Sequence, residues 1–327
     1  MFLFSYGTRP EYIKIKSILD NMGDIPYKVL FTGQHKTLCE GIGDYSIEIQ
    51  DGPNRIDSII KSLMNLPDDV FEFVRYVIVQ GDTTSAMALA IASFNRGIQV
   101  IHLEAGLRTF DTSSPYPEEF NRQVISKIAT IHFCPTKTNY ENLLKENAKG
   151  DIYIVGNTGL DNIRRGRQEY NSDVIVTLHR RENHKVIPAL FREINDLAIE
   201  NKDLNFIIPL HPNPNIQKFK SLLTAVKIID PLPHGEMIEL ISKCRFLISD
   251  SGGLQEEASF LNKKIIVCRE NTERPESLYI HSFLCVSPDK IRELFDKVNN
   301  DYIIDEPCPY GDGAAYKKII PILKSYL

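Results

Sequence analysis

The chain has 327 residues, of which 43% are hydrophobic and 25% are charged, and its formal net charge is −5. This length is ample for two hydrophobic cores, and the composition is that of an ordinary globular protein. The weakly acidic balance argues against nucleic-acid binding, which requires a basic face. No apolar run approaches the length of about 18 residues typical of a membrane span, and a strand pattern begins directly after Met1. Neither a membrane segment nor a signal peptide is therefore expected.

The cysteines are scattered and show no CxxC spacing, which is typical of reduced, mostly buried thiols rather than metal ligands or disulfides. They are Cys39, Cys134, Cys244, Cys268, Cys285 and Cys308. This usage predicts an intracellular protein and a cytoplasmic location.

Short apolar strands alternate with helical patterns along nearly the whole chain. In the first half the predicted strands are FLFSYG, YKVLFTG, RYVIVQG, IQVIHLEAG, IHFCP and IYIVG, with helices such as 10–21, 83–95 and 117–129 between them. In the second half they are DVIVTLH, LNFIIPLH, VKIIDP, RFLISDSG, KKIIVCRE and SFLCVS. Continuous apolar strands separated by helices predict parallel sheets covered on both faces.

Twelve strands are more than a single open sheet usually contains, so we predict two Rossmann-like domains. Polar residues interrupt the pattern at 156–173, and the predicted domains are 1–165 and 166–310. The segment 311–327 contains a final helix, with an internal Pro321, that is expected to return to the first domain. A (β/α)₈ barrel fits the alternation less well, because of the strand number and the polar break.

Charged and hydrogen-bonding residues follow nearly every predicted strand. In open parallel sheets, ligands bind outside the carboxyl ends of the strands. In the first half these ends carry Arg9, Glu11, Gln34, His35, Asp82, Glu104 and Arg108. In the second half they carry His179, Arg180, Arg181, Glu182, His211, Asn213, Ser251, Gly252 and Gly253. A purely structural sheet has no need for such groups, so a ligand site is predicted at these edges.

The stretch SDSGGLQEEA ends a strand and opens a helix. Its glycines are either a phosphate seat, with backbone N–H groups and a helix dipole, or a plain tight turn. Glu257 is either an ordinary acid favoured by the same dipole or an acceptor for a vicinal diol such as ribose. A nucleoside diphosphate would satisfy both halves of this stretch.

The stretch HRREN places His179, Arg180 and Arg181 directly after a core strand. This local cation cluster is either a solvated charge run or a phosphate contact, and its place at a strand end favours the phosphate contact. One of the two arginines is expected to pair with Glu182. His211 occupies a similar position after the next strand, where a single histidine is often structural.

Three carboxylates in the first half, those of Asp82, Glu104 and Glu118, are candidates for acid/base chemistry. Each has an alternative explanation: Asp82 suits a cap for the helix beginning at Thr83, and Glu118 with Arg122 suits an i,i+4 surface pair. Carboxylates that converge raise one another's pKa values and suit proton transfer at a weakly acidic carbon. Arg9 and Lys14 would then hold the charge of a leaving group.

Several common signatures are absent. The two histidines of HRRENH are five positions apart rather than four, and no other metal motif occurs. GxSxG, GxxxxGK[ST] and GxGxxG are also missing, which argues against an α/β-hydrolase, a P-loop enzyme and a nicotinamide cofactor.

Taken together, the motifs resemble those of the non-hydrolysing UDP-N-acetylglucosamine 2-epimerase family. In family order they are GTRPEYIK, TGQH, QGDTTSAMA, HLEAGLRT, PYPEEFNR, VGNTGLD, LHRREN, LHPNPN, SDSGGLQEEA and ENTERPE. The resemblance implies a GT-B-like α/β fold of two Rossmann-like domains, with the active site in the interdomain cleft. It also implies a UDP-sugar substrate, a homodimer, no cofactor and no metal.

The reaction implied by the resemblance is loss of the C2 proton coupled to C1–O cleavage. UDP and a 2-acetamidoglucal result, and UDP adds back with C2 protonated on the other face. The implied catalytic residues are Asp82, Glu104, Glu118 and His179. The implied substrate-binding residues are Arg9, Lys14, Arg122, Arg180, His211, Ser251, Gly252, Gly253, Glu257 and Arg274.

The segment after TGQH is shorter than the resemblance leads us to expect. Gln34, His35 and Arg55 are candidates for a regulatory site that binds a second substrate molecule, and the shortening argues against substrate activation. The sugar is either UDP-GlcNAc/UDP-ManNAc or a 6-deoxy or L-analogue such as UDP-L-QuiNAc/UDP-L-RhaNAc. Alternatives are a hydrolysing epimerase that releases ManNAc, a GT-B glycosyltransferase that would not need the three carboxylates, and a catalytically silent nucleotide-sugar binding protein.

Overall fold

The computed structural model describes residues 1–34, 43–50 and 52–327. His35 and Cys39, which the sequence analysis names, lie outside the described residues. The chain forms two compact units: unit 1 comprises Met1–Ile163 and Gly311–Leu327, and unit 2 comprises Arg164–Tyr310.

Unit 1 contains a seven-stranded sheet in the order β3-β2-β1-β4-β5-β6-β7, and every neighbouring pair is parallel. The strands are β1 (Phe2–Tyr6), β2 (Tyr27–Phe31), β3 (Tyr45–Ser46), β4 (Tyr76–Gln80), β5 (Gln99–Leu103), β6 (Ile131–Cys134) and β7 (Asp151–Ile154). Six of them are the predicted strands of the first half. Strand β3 was not predicted from the sequence, because two residues carry no periodicity.

Helices cover both faces of this sheet. They are α1 (Arg9–Leu19), α2 (Arg55–Met64), α3 (Thr84–Phe94), α4 (Glu118–Ile128) and α5 (Lys137–Lys145). The side chains of Thr8, Asn54, Thr83 and Thr136 cap the first, second, third and fifth of these by accepting a backbone N–H. Separate apolar clusters lie on the two faces, as expected for strands that are buried on both sides.

Unit 2 repeats the arrangement with six parallel strands in the order β10-β9-β8-β11-β12-β13. These strands are β8 (Asp173–Thr177), β9 (Asn205–Pro209), β10 (Lys227–Ile229), β11 (Phe246–Ser249), β12 (Ile265–Val267) and β13 (Ser282–Leu284). The helices are α6 (Ile187–Glu200), α7 (Pro214–Gln217), α8 (His234–Lys243), α9 (Gly252–Phe260) and α10 (Ile291–Asn300). All six predicted strands of the second half are present.

A last helix, α11 (Ala315–Ser325), belongs to unit 1 and contains Pro321. Ile319 and Leu323 on this helix are fully buried in the apolar cluster that lines one face of the unit 1 sheet. The carboxylate of Asp161 accepts the N–H groups of Ala315 at 2.8 Å and Tyr316 at 2.9 Å. These bonds satisfy N–H groups that have no partner within the helix.

Each sheet has one switch point, where successive connections run in opposite directions from the first strand. It lies between β1 and β4 in unit 1 and between β8 and β11 in unit 2. The loops at the carboxyl ends of these strand pairs diverge and leave a crevice in which open α/β sheets bind ligands. Within the described residues, no helix is both long and apolar enough to cross a membrane.

Candidate active site

The β1–α1 turn opens the site of unit 1. Thr8 caps α1, so Arg9 becomes the first helical residue and is exposed. Glu11 is buried and accepts hydrogen bonds from the N–H of Gly7 and the hydroxyl of Thr8, each at 2.9 Å, and from the hydroxyl of Thr83 at 2.7 Å. Burial raises the pKa of the Glu11 carboxyl, against the smaller lowering effect of these hydrogen bonds. Glu11 thereby ties the turn after β1 to the turn after β4.

Glu104 follows β5 in a left-handed backbone conformation, with φ +64°. Such a conformation costs a non-glycine residue on the order of 1–3 kcal/mol, and residues of this kind cluster at functional sites. Lys14 Nζ lies 2.6 Å from Oε1 and 2.5 Å from Oε2 of Glu104, and the amide of Gln80 also donates to Oε2. The side chain of Glu104 is only 9% exposed, so Lys14 compensates a carboxylate that is largely removed from water.

Asp82 follows β4 and accepts a hydrogen bond from Arg122 Nε at 2.9 Å. The helix cap proposed for Asp82 is instead Thr83, whose hydroxyl accepts the N–H of Ala86 at 3.1 Å. Arg122 is buried, and its Nη1 contacts Glu119 at 2.8 Å. Arg122 thus links Asp82, in the turn after β4, to Glu119 on its own helix.

Helix α4, which begins at Glu118, is joined to the turn after β4 by a hydrogen bond. The side-chain amide of Asn121 donates to the carbonyl of Asp82 at 2.8 Å. Glu118 is the first residue of this helix, one turn before Arg122, and its Oε2 is buried. Asp82, Glu104 and Glu118 therefore occupy one edge of the unit 1 sheet, together with the cation of Lys14. This arrangement suits proton transfer to and from carbon.

The site of unit 2 is organised by Asp250, which is fully buried after β11. Its Oδ2 accepts the N–H groups of His179 and Arg180 at 2.9 Å each and the side-chain amide of Asn183 at 3.0 Å. Asn183 also donates to the carbonyl of Cys268 at 2.8 Å. These bonds hold the HRREN turn against the turns that follow β11 and β12.

His179 and His211 stack with their ring centroids 5.2 Å apart and their planes inclined by 5°. The N–H of Asn213 donates to Nδ1 of His211 at 3.1 Å, so this nitrogen carries no proton. Desolvation, followed by the neighbouring His179, lowers the pKa of His211. The structure thus brings together the histidines of two predicted strand ends, with His211 neutral.

The N-terminus of α9 is built around Ser251, Gly252 and Arg274. Ser251 caps the helix through a hydrogen bond from the N–H of Leu254 at 3.4 Å. A Cβ at position 252 would lie 2.5 Å from Nη1 of Arg274, whereas a Cβ at position 253 would have its nearest neighbour at 3.9 Å. Glycine at 252 therefore lets the guanidinium of Arg274 pack against the first turn of the helix.

Two glutamates behind these glycines have different partners. Glu256 is buried and contacts Arg274 Nε at 2.9 Å, and Glu273 contacts Nη1 of the same arginine. Glu257 is less buried and contacts His234 Nε2 at 2.9 Å. Glu256 therefore holds Arg274, while Glu257 is the more exposed of the two and pairs with His234.

Arg180 contacts Glu182 at 3.5 Å, which is the pairing predicted within HRREN. Arg269 also contacts Glu182, at 3.3 Å, and Glu273, at 2.9 Å. Arginines and glutamates thus alternate from Arg180 to Arg274. The positive charges at this edge are held in fixed positions by carboxylates rather than by solvent.

Two of the three candidates for a regulatory site are close together. Arg55 Nη2 donates to the carbonyl of Gln34 at 3.0 Å, and the side-chain oxygen of Gln34 accepts the N–H of Ser85 at 3.1 Å. His35, the third candidate, is outside the described residues.

Several residues of these networks have no part in the sequence analysis: Gln80, Glu119, Asn183, His234, Asp250 as an anchor, and Glu273. His234 and Asp250 could have been found, since PLPH and SDSGG each follow a predicted strand. Glu119 and Glu273 pair with arginines within four positions in the sequence, but no local pattern marks these pairs as buried.

Comparison of the sequence with known proteins identifies the family. The sequence profile of the family described as UDP-N-acetylglucosamine 2-epimerase matches residues 18–324. The UDP-N-acetylglucosamine 2-epimerase of Campylobacter jejuni is 37% identical over 369 positions, covering 98% of this chain and 96% of that protein. The enzyme of the same name from Escherichia coli K12 is 33% identical, covering 98% and 97%. Because the alignments are longer than the 327-residue chain, this chain lacks internal segments of its relatives.

Solved structures give the same result. The UDP-GlcNAc 2-epimerase of Neisseria meningitidis, bound to UDP-GlcNAc, has a TM-score of 0.88 and 32% identity and covers 99% of each chain. That of Methanocaldococcus jannaschii, in complex with UDP-GlcNAc and UDP, has a TM-score of 0.83 and 28% identity, covering 99% of this chain and 100% of that one. MurG of Acinetobacter baumannii, at TM-score 0.55 and 11% identity, shares the fold alone.

The predicted fold class, two Rossmann-like domains of the GT-B-like type, is confirmed. With a family profile that spans most of the chain and relatives above 30% identity over nearly its full length, this chain belongs to the UDP-N-acetylglucosamine 2-epimerase family.

Proposed function

We propose that this protein is a non-hydrolysing UDP-2-acetamido-sugar 2-epimerase that interconverts UDP-GlcNAc and UDP-ManNAc. The observation that carries the proposal is the pair of half-sites at the two switch points. One contains the carboxylates of Asp82, Glu104 and Glu118, and the other contains an anion-binding site at the start of α9. Relatives solved with UDP-GlcNAc bound support this substrate class.

In this proposal the nucleotide half of the substrate is bound by unit 2. Ser251 and the N–H groups of Gly252 and Gly253 receive the diphosphate, with Arg274 behind them supplying positive charge. His179 and Arg180 add donors from the turn after β8, and His211 supports the ring of His179. Glu257, oriented by His234, accepts the hydroxyls of the ribose.

The hexose is bound by unit 1, where the chemistry occurs. A carboxylate removes the C2 proton, and the electron pair of that C–H bond forms the C1–C2 double bond as the C1–O bond breaks. The oxygen of UDP keeps the electron pair of the broken bond, and Arg9 and Lys14 lower the energy of the charge that develops on it. Protonation of C2 from the opposite face with re-addition of UDP completes the exchange. Arg122 orients Asp82 throughout, and the cycle has no net oxidation.

Proton NMR of UDP-GlcNAc incubated with the protein in deuterated water tests the proposal. We expect UDP-GlcNAc and UDP-ManNAc to appear together, both losing the C2 proton signal as solvent deuterium enters. Free ManNAc with UDP would indicate the hydrolysing reaction, and transfer only to an added acceptor would indicate a glycosyltransferase. An unchanged spectrum would reject UDP-GlcNAc, and the 6-deoxy and L-analogues would be tried next.

Glu104→Gln is the matched variant for this experiment. The amide preserves the shape of the side chain and keeps one oxygen for Lys14, although its NH₂ replaces an oxygen that accepts from Lys14, and it cannot take up a proton. We expect deuterium incorporation at C2 to fall by at least about 100-fold, the lower end of the usual contribution of a general base. UDP binding by calorimetry should stay unchanged. Near-normal turnover of Glu104→Gln would remove Glu104 from the catalytic set.

We further propose that the protein is a cytoplasmic homodimer. The described cysteines are all free thiols, as suits a reducing compartment. Phe110, Tyr116 and Phe120 are large exposed side chains in one stretch of unit 1, and they are candidates for a subunit contact. Light scattering should give about twice the 37.3 kDa of one chain. The monomer mass would overturn this proposal.

Gln34, His35 and Arg55 are the residues proposed to bind a second substrate molecule at a regulatory site. A hyperbolic dependence of the rate on UDP-GlcNAc concentration would show that this site is lost, and a sigmoidal dependence abolished by Arg55→Ala would show that it is kept.

A further inference from the structure

We propose that Asp250 is a positioning residue that sets the tautomer and the ring orientation of His179. The functional consequence of this role rests on the proposed contact of His179 with the departing diphosphate. The tautomer itself is a property of the free protein.

The two oxygens of Asp250 perform different tasks. Oδ2 accepts from the N–H groups of His179 and Arg180 and from the amide of Asn183, all within 3.0 Å. Oδ1 receives a longer contact from the N–H of His179, at 3.2 Å, and lies 3.5 Å from Nδ1 of the His179 ring. Oδ2 therefore provides most of the anchoring of the HRREN turn, and Oδ1, which shares the N–H of His179, faces the imidazole.

Anchoring by itself does not require a charged residue at this position. A side-chain amide would present the same single oxygen to the three donors, without the cost of burying a charge. Asp250 is fully buried, and its ion pair among the described residues is with His179. The second oxygen and the negative charge are thus explained by the imidazole that they face.

The surroundings of His179 leave one ring nitrogen for a ligand. His211 covers a face of the ring, and its own Nδ1 is occupied by the N–H of Asn213, so the covering ring is uncharged. Nδ1 of His179 faces the buried Asp250, while the side chain of His179 is 38% exposed. Because the bonding directions of the two ring nitrogens diverge widely, Nε2 points away from Asp250 when Nδ1 faces it.

The state of one imidazole nitrogen determines what the other offers. With a proton on Nδ1 facing Asp250, the neutral ring presents an acceptor at Nε2. When Nε2 also gains a proton it becomes a donor to an anion, and the carboxylate behind the ring stabilises the imidazolium. Catalytic contacts are often long before a ligand binds, so 3.5 Å is compatible with this role.

Asp250→Asn separates the two tasks. Its side-chain oxygen can take the place of Oδ2 and keep the three anchoring bonds. Its NH₂ then faces His179 and forces Nδ1 to act as an acceptor, which moves the proton of the neutral ring to Nε2. We expect kcat to fall by at least about 10-fold, because the neutral ring then holds its proton on the wrong nitrogen; the corresponding Asp→Asn change in serine proteases lowers kcat by about 10⁴-fold. KM should change by less than about 3-fold.

The deciding measurement is the long-range ¹H–¹⁵N correlation spectrum of the histidine rings at pH 8, where an ordinary histidine is neutral. The signals of His179 are those that vanish in His179→Gln. We expect the Nδ1–H tautomer in the native protein and the Nε2–H tautomer in Asp250→Asn. An Nε2–H tautomer in the native protein would overturn the proposal, even if Asp250→Asn does not fold. This readout needs no turnover, so it is independent of the proposed function.

A double-variant comparison excludes a merely structural role. In a His179→Gln background, Asp250→Asn should lower kcat by less than about 2-fold, because its effect passes through the missing ring. Equal losses in both backgrounds would make Asp250 an anchor alone and refute the inference. Asn183→Ala is the control, since it weakens the anchoring at Oδ2 and should leave the tautomer of His179 unchanged.

Discussion

Single buried carboxylates determine the geometry of both half-sites. Glu11 in unit 1 accepts hydrogen bonds from the turns that follow β1 and β4, and Asp250 in unit 2, which itself lies in the turn after β11, accepts them from the turn after β8. Neither has a lysine or arginine partner among the described ion pairs. Burying a carboxylate without such a partner lowers the stability of the fold. Both carboxylates hold residues that are proposed to bind or convert substrate, which explains why they are present.

The pH dependence of stability tests this at Glu11. Burial raises the pKa of its carboxyl above the ordinary 4.5. The unfolded chain therefore loses this proton first, and stability is lost as the pH rises from about 4.5 towards the folded-state pKa. Glu11→Gln removes this loss. The urea midpoint of the variant, measured relative to that of the native protein, should therefore rise between pH 5 and pH 8. A difference that stays constant with pH would contradict the account, and the exposed Glu141→Gln controls for the lost charge.

At the scale of elements, the N-terminus of α9 shows which features suit a helix end to anion binding. The dipole and the free N–H groups are common to every helix. What distinguishes this helix is the guanidinium of Arg274, buried beside Gly252 and held by Glu256 and Glu273. The arginine cannot move aside without breaking two ion pairs.

Adjacent glycines provide a matched comparison at this helix. Gly252→Ala would place a methyl group against the fixed guanidinium, and overpacking of this kind costs about 1–3 kcal/mol. Gly253→Ala makes only an ordinary contact with Ser251 Oγ at 3.9 Å and should leave the free energy of unfolding unchanged or slightly raised, because alanine favours helix. Thermal unfolding of both variants measures the difference. Equal unfolding midpoints would mean that the Arg274 side chain moves aside without loss of stability, contrary to this account.

At the scale of the whole molecule, the two units repeat one strand order, and unit 1 is completed only by the end of the chain. Helix α11 buries Ile319 and Leu323 in the same cluster as residues of β1 and α1. About 150 residues of unit 2 separate this helix from the rest of unit 1. The core of unit 1 therefore depends on a contact that is distant in sequence.

Truncation of Leu323 tests that dependence. Leu323→Ala should destabilise unit 1 by about 2–5 kcal/mol, the usual cost of a large-to-small change in a core. Lys324→Ala, exposed on the same helix, should have little effect. Because unit 2 has its own core, UDP should still bind to the Leu323→Ala protein, as calorimetry can measure. Loss of UDP binding would show that unit 2 does not stand independently.

The sequence by itself determined the strands, the parallel α/β class and the edge of each sheet that carries function. Twelve strands are evident because apolar runs buried on both faces leave a strong local signal. The charged residues that follow them, such as Asp82, Glu104 and His179, are visible for the same reason, since a strand end is a position in the sequence. The family resemblance then assigned roles to those positions.

Only the tertiary structure decided which side chains meet. Arg122 contacts Asp82 from 40 positions away, Lys14 contacts Glu104 from 90 positions away, and His179 meets Asp250 from 71 positions away. The division of labour between Glu256 and Glu257 also depends on loops that return from Arg274 and His234. Periodicity and local propensity act over a few residues, whereas these contacts follow from strand order and loop paths, which packing of the whole unit selects.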